Sequence, residues 1–250
     1  MIRLENVKKA FNGNAVLRGV DLELDKGETL VVLGRSGTGK SVTLKHIVGL
    51  LAPDSGLVEV NGIDVTHATP EELSRVRKDV AYLFQTGALV NWLSVRDNVS
   101  LPLREHGKLP PGEIRERVDE SLQSLGMLEA ADRMPAEISG GMKKRAALAR
   151  VLVAQPKAIL YDEPTAGLDP LMARTVGKLI REVQSTGERT ALVVTHDLEL
   201  AFAVATRIGL HYQGKLIELA PPDEFRESQH PIIRAFLDGK DDIEEEALPK

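Results

Sequence analysis

The chain has 250 residues, 42% hydrophobic and 28% charged, with no cysteine and a formal net charge of -5. That composition supplies a sizeable core and excludes disulfides and thiolate metal sites. Its acidic balance argues against nucleic acid as a partner, because such binding depends on Lys and Arg neutralising phosphates. Met1–Glu5 has no apolar continuation of the kind a secretory signal needs, and no stretch approaches about 20 uninterrupted apolar residues. Any membrane role is therefore expected to come through a partner.

In chain order, Ile2–Leu4 and Val16–Leu24 read as strands on either side of a turn at Asn12-Gly13-Asn14. A second turn, Asp25–Glu28, leads into the continuously apolar Thr29–Leu33, the pattern of a buried central strand. A glycine-rich loop and a helix over about Lys40–Leu51 follow, closed by a turn at Pro53–Gly56. Leu57–Val65 reads as a hairpin around Asn61-Gly62. From Pro70 to Gln155 the pattern is mainly helical, with Ile114, Val118, Leu122 and Leu125 near helical spacing. Two further strands, Ala158–Tyr161 and Thr190–Val194, flank a helix over Met172–Gln184, an order that favours a parallel sheet. Asp238–Lys250 holds six acids and two lysines and reads as a solvated tail.

The segment Gly34-Arg35-Ser36-Gly37-Thr38-Gly39-Lys40-Ser41 has a glycine, four residues and then Gly-Lys-Ser, between an apolar strand and a helix. Such a loop brings backbone N–H groups to phosphate oxygens at a positive helix end. Lys40 would reach the β- and γ-phosphates of a nucleotide, and the Ser41 hydroxyl would hold Mg²⁺. Asp162 and Glu163 end an apolar strand, and ligands gather at the carboxyl ends of parallel strands. Asp162 would hold Mg²⁺ and Glu163 would orient and deprotonate an attacking water. His196 ends the next apolar strand on the same sheet edge, where it can hydrogen-bond a γ-phosphate. His46, His67, His106, His211 and His230 read as structural or surface residues.

Ser139-Gly140-Gly141 precedes a helical run and is followed by Met142 and three consecutive cations, Lys143, Lys144 and Arg145. Ser139 suits a helix N-cap. The cations oppose the helix dipole there, so the segment reads either as an anion site or as a solvated basic face.

Taken together, these motifs resemble an ATP-binding-cassette (ABC) ATPase over nearly the whole chain. Ser139-Gly140-Gly141 is similar to the signature of that family, Gln85 to its Q-loop, Ala166-Gly167-Leu168-Asp169 to its D-loop and His196 to its switch histidine. The resemblance implies an α/β P-loop NTPase fold: a mainly parallel central sheet, an N-terminal antiparallel β-subdomain and a helical subdomain. The ATPase domain is expected over 1–237, with the helical subdomain over about 86–155 and the acidic tail over 238–250. It also implies a head-to-tail homodimer with ATP between protomers. One protomer would supply Lys40, Ser41, Gln85, Asp162, Glu163 and His196, with Ser41, Gln85 and Asp162 at Mg²⁺. The other would supply Ser139, Gly140 and Gly141, and Asp169 would couple the two sites. Phe11 looks like the aromatic that stacks on adenine in this family; its alternative is a core position.

Met142 stands where the wider family usually has glutamine. Together with Leu83–Leu89 and Val95–Arg104, it resembles the Mla/Mce lipid-trafficking subgroup. That resemblance implies an integral-membrane permease and an Mce-domain protein as partners, with the ATPase peripheral to the cytoplasmic face of the inner membrane. Import of another solute, or regulation of a cell-envelope machine, is the alternative. Leu89, Val90, Trp92 and Leu93 would form a groove for a partner helix if exposed, and helical-domain core if buried. Pro231–Leu237 is amphipathic and is expected to dock, with the second protomer as the candidate surface.

Overall fold

Turn chemistry sets the first sheet. The structure, a computed structural model, describes residues 1–105, 109–185 and 189–240. Strands β1 (Ile2–Phe11) and β2 (Asn14–Leu24) form an antiparallel hairpin closed by Asn12 and Gly13. Both turn residues have positive φ, the geometry that Asn-Gly tolerates. The first strand thus runs well past Leu4, bridged by register shifts between Leu4 and Lys8. Further along the chain, β4 (Ser55–Val60) and β5 (Ile63–Asp64) turn at Asn61-Gly62 and complete a four-stranded sheet in the order β2-β1-β4-β5.

Between these hairpins lie β3 (Thr29–Leu33) and α1 (Lys40–Ile47). Helix α1 ends earlier than its sequence suggests, because Gly49 takes a left-handed φ of +64°. After β5 come α2 (Pro70–Asp79), β6 (Val80–Leu83), α3 (Val95–Glu105), α4 (Pro111–Ser124) and α5 (Gly140–Leu152). The stretch is mainly helical, as its pattern suggests, and β6 is an addition to that reading: four residues are too few for a periodicity to register. The chain continues through β7 (Ala158–Asp162), α6 (Pro170–Gln184), β8 (Thr190–Thr195) and α7 (Leu198–Val204). It closes with β9 (Arg207–Tyr212), β10 (Lys215–Ala220), α8 (Pro222–Glu227) and α9 (Pro231–Leu237).

The second sheet has the order β10-β9-β3-β8-β7-β6, parallel throughout except for β9 with β10. Its central strands are buried on both faces. Val31, Leu33, Ile159, Tyr161 and Val193 enter the core beneath the helices. Leu30, Val32, Leu160, Leu192 and Val194 enter the core shared with the antiparallel sheet and α1. Each such side chain contributes about 1.5–3 kcal/mol on burial, which explains why β3, β7 and β8 are apolar without alternation. Helix α9 buries Ile232 and Ile233 in the core of its own chain, so its apolar face is already used within the protomer. Among the described residues no helix is long and apolar enough to cross a membrane. His106 and residues 241–250 of the acidic tail lie outside the described residues.

His211, at the carboxyl end of β9, is buried, and neither ring nitrogen has a hydrogen-bond partner among the described residues. Burial, with the nearby Lys40 ammonium, pushes its pKa down to about 4 from an ordinary 6.5. Between those values the unfolded chain takes up a proton that the folded chain refuses, so stability falls as pH falls through that window. A His211→Leu variant should therefore lose less stability than wild type between pH 7 and pH 4.5, by roughly 2–3 kcal/mol in urea unfolding. Equal pH slopes for the two proteins would contradict this.

Candidate functional site

The parallel strands β3, β7 and β8 end on one edge of the sheet, and the chemistry-bearing residues gather there. The loop after β3 turns through Gly37 (φ +82°) and Gly39 (φ +107°) into α1. At Gly39 a side chain is strained by φ and crowded as well: a Cβ would lie 2.9 Å from a Leu17 methyl and 3.0 Å from a Val16 methyl. The Lys40 ammonium, 4% exposed, donates to the carbonyls of Gly34 (2.7 Å) and Arg35 (2.9 Å), which curls the loop around it. The Thr38 hydroxyl adds a bond to the Arg35 carbonyl at 3.0 Å.

Glu163, just past β7, is 7% exposed and sits at φ +46°, a left-handed conformation that costs a non-glycine residue on the order of 1 kcal/mol or more. Its backbone N–H is held by the Val194 carbonyl at 2.9 Å. Its carboxylate Oε1 lies 3.1 Å from Lys40 Nζ. Oε2 accepts from the Thr195 hydroxyl and the His196 backbone N–H, and Nδ1 of His196 lies 2.8 Å from it. Two separate segments thus converge on one carboxylate.

Asp162 is equally engaged. Its Oδ1 accepts from the Ser41 hydroxyl and its Oδ2 from the Tyr82 hydroxyl, each at 2.7 Å. Burial first, and the Asp162 carboxylate second, push the Tyr82 phenol far above its ordinary range, so Tyr82 acts as a donor.

A cleft of about 420 Å³ is lined by Phe11, Ser36, Gly37, Gly39, Lys40, Ser41, Gln85, Glu163 and His196. Phe11 is 39% exposed, so it is a surface ring at the cleft and not a core residue. Arg35 and Thr38 instead border a neighbouring cleft of about 530 Å³ on the side of His211 and Phe236. Among the described residues no three His, Cys, Asp or Glu side chains form a metal cluster.

Ser139, Gly140, Gly141 and Asp169 belong to other segments, apart from that cleft. Ser139 caps α5, its hydroxyl accepting from the Met142 N–H at 3.3 Å, and Gly140 and Gly141 form the first turn of the helix. Asp169 caps α6 through the Met172 N–H at 3.0 Å. Ser139, Gly140 and Asp169 are exposed, and beside them Leu171 is 74% exposed. Two of the three cations that follow Ser139 are tied to backbone carbonyls. Lys144 is buried and donates to the Gln85 carbonyl, with its pKa lowered by burial. Arg145 donates to the Leu125 carbonyl at 3.1 Å.

The segment after Gln85 is fastened to the helices on both sides. Arg150 of α5 donates to the carbonyls of Gly87 and Ala88, at 2.7 and 2.8 Å. Asn98 of α3, fully buried, accepts from the Val90 N–H and donates to the carbonyls of Val90, Leu93 and Ser94. Trp92 is 79% exposed, whereas Leu89 packs partly on the core, so this apolar segment divides between the two expectations. Tyr82, Thr195 and Lys144 are site contacts that sequence motifs missed. Tyr82 had one usable signal, its place two residues along a short apolar run that ends before Gln85.

Comparison with known proteins gives a consistent picture. A family profile described as "ABC transporter" matches residues 17–166. The probable ribonucleotide transport ATP-binding protein mkl of Mycobacterium leprae (strain TN) is 39% identical over 239 residues, covering 96% of this chain and 69% of that protein. The intermembrane phospholipid transport system ATP-binding protein MlaF of Haemophilus influenzae is 35% identical over 242 residues, covering 97% of this chain and 92% of that protein. Among solved structures, the dimeric post-hydrolysis state of the ATP-binding cassette MJ0796, bound to ADP and Pi, superposes with a TM-score of 0.82 at 31% identity. That match covers 89% of this chain and 99% of the other.

Proposed function

Since this chain belongs to the ABC transporter family and is an ATPase coupled to transport, we propose that it energises movement of a phospholipid or related lipid through a membrane permease. In this reading it works as a head-to-tail homodimer, peripheral to the cytoplasmic face of the inner membrane, with an Mce-domain protein as a further partner. The single observation that carries the reading is the convergence of Lys40, Ser41, Gln85, Glu163 and His196 on one cleft, with Asp162 bonded to Ser41.

The Gly34–Ser41 loop wraps the β- and γ-phosphates with its N–H groups and Lys40, and Phe11 stacks on adenine. Ser41, Asp162 and Gln85 offer hard oxygen donors that suit Mg²⁺, which takes few protein ligands beside nucleotide phosphates. When bound, Mg²⁺ supplies charge neutralisation at the phosphates. Incoming phosphate draws Lys40 away from Glu163, freeing Oε1 to accept a proton from the attacking water. His196 holds the water in line beside the γ-phosphate.

A single protomer leaves the site half-built. Ser139 and Gly140 stand exposed at the start of α5, followed by the buried Gly141 and outside the cleft, where the segment can meet the γ-phosphate bound by a second chain. Asp169, exposed at the start of α6, couples the two sites across that interface. Gln85 passes phosphate occupancy to the segment carrying Trp92, which meets the permease. Residues 1–237 act as the ATPase domain, with the helical subdomain over about 86–155. The lipid assignment rests on Met142, Leu83–Leu89 and Val95–Arg104 and on the near full-length match to a phospholipid-transport ATPase.

Replacing Glu163 with Gln should lower phosphate release by roughly 10²–10⁴-fold and trap an ATP-dependent dimer on size exclusion. A monomer hydrolysing at the wild-type rate would overturn the catalytic assignment. For the cargo, the chain isolated with its permease in mild detergent should carry phospholipid. A lipid-free complex built around a solute-binding protein would favour import of another solute.

A further inference from the structure

We propose that Tyr82 is a positioning residue that fixes the Asp162 carboxylate for metal binding; this rests on the assignment of Asp162 to Mg²⁺. The two side chains come from adjacent parallel strands. Tyr82 of β6 pairs with Leu160 of β7, so Asp162 lies two residues further along β7 on the same sheet face. A phenol is long enough to reach that diagonal neighbour, and its hydroxyl donates to Oδ2 at 2.7 Å.

The contact divides the labour of the carboxylate. Ser41 donates to Oδ1, on the side where α1 begins, and Tyr82 donates to Oδ2. Among the described residues no other side chain donates to either oxygen. The terminal torsion of an aspartate is broad and roughly two-fold, so one hydrogen bond leaves the group free to turn. Two bonds, one to each oxygen, hold Oδ1 against Ser41. The phenol is itself wedged: its ring centroid lies 4.2 Å from that of Phe84, tilted by 35°. Its apolar side packs on the core shared with the antiparallel sheet. The Tyr82 hydroxyl meets a buried carboxylate that needs a donor. Partners of this kind, behind a ligating carboxylate, typically change metal affinity by about 10–100-fold when removed.

The test uses the full chain loaded with AMP-PNP, with Mn²⁺ as a spectroscopic stand-in for Mg²⁺. The dissociation constant is read from the electron paramagnetic resonance signal of free Mn²⁺. Wild type, Tyr82→Phe and Asp162→Asn are compared, alongside metal-free AMP-PNP binding in EDTA and far-ultraviolet circular dichroism. Tyr82→Phe should bind Mn²⁺ about tenfold or more weakly while its metal-free nucleotide affinity and circular dichroism match wild type. Tyr82→Met, which keeps apolar bulk without the hydroxyl, should show the same loss and serves if the phenylalanine variant folds poorly. Wild-type Mn²⁺ affinity in the Tyr82 variants, with Asp162→Asn impaired, would overturn the role of Tyr82 and leave Asp162 standing. Wild-type affinity in Asp162→Asn as well would remove the assignment of Asp162 and the inference with it.

Discussion

The carboxylate of Glu163 is where the parts of this molecule meet. A nearly buried carboxylate costs several kcal/mol of lost hydration unless donors replace the water. Here the donors come from the loop before α1, through Lys40, and from the end of β8, through Thr195 and His196. The sheet order that sets β3 and β7 on either side of β8 brings those segments together. The left-handed backbone at Glu163 turns the chain so that the side chain points into this ring of donors. Architecture and chemistry are therefore coupled at one residue. The bonds that satisfy the buried group are also those that a phosphate would compete for.

That competition gives the site a way to sense its ligand. Lys40 is shared between two loop carbonyls and Glu163, and a triphosphate is a stronger electrostatic partner than either. Beyond the cleft, the Gln85 carbonyl is held by Lys144, which lies in the first turns of the helix that Ser139 caps. Arg150 and Asn98 then fix the following loop as far as Ser94. A displacement at Gln85 would thus move the loop and α5 together, because charged or buried hydrogen bonds join them, each expensive to leave unmade.

Most of the cleft was readable before any fold was known. The glycine loop, Asp162-Glu163 and His196 each follow a continuous apolar run, and a parallel sheet places such ends on one edge. What stayed hidden depends on which strand lies beside which. Tyr82 reaches Asp162 only because β6 is the neighbour of β7, and a four-residue strand within a helical stretch carries no periodic signal. Lys144 looked like part of a basic face because helix position alone does not reveal that a carbonyl lies within reach. His211, read as an ordinary histidine, proved to lie beneath the phosphate loop with both nitrogens unpartnered among the described residues. Phe11, which the sequence leaves open between an adenine-stacking ring and a core position, ends β1 and is exposed at the cleft.

The central claim is that two chains complete each other's triphosphate pocket. It is tested most directly by the structure of the Glu163→Gln chain with Mg²⁺ and ATP. The account predicts a two-fold dimer in which the γ-phosphate lies between Lys40 of one protomer and the partner's Ser139, within hydrogen-bond distance of both. An ATP-loaded protein in which the Ser139 segment faces solvent, away from every phosphate, would contradict it.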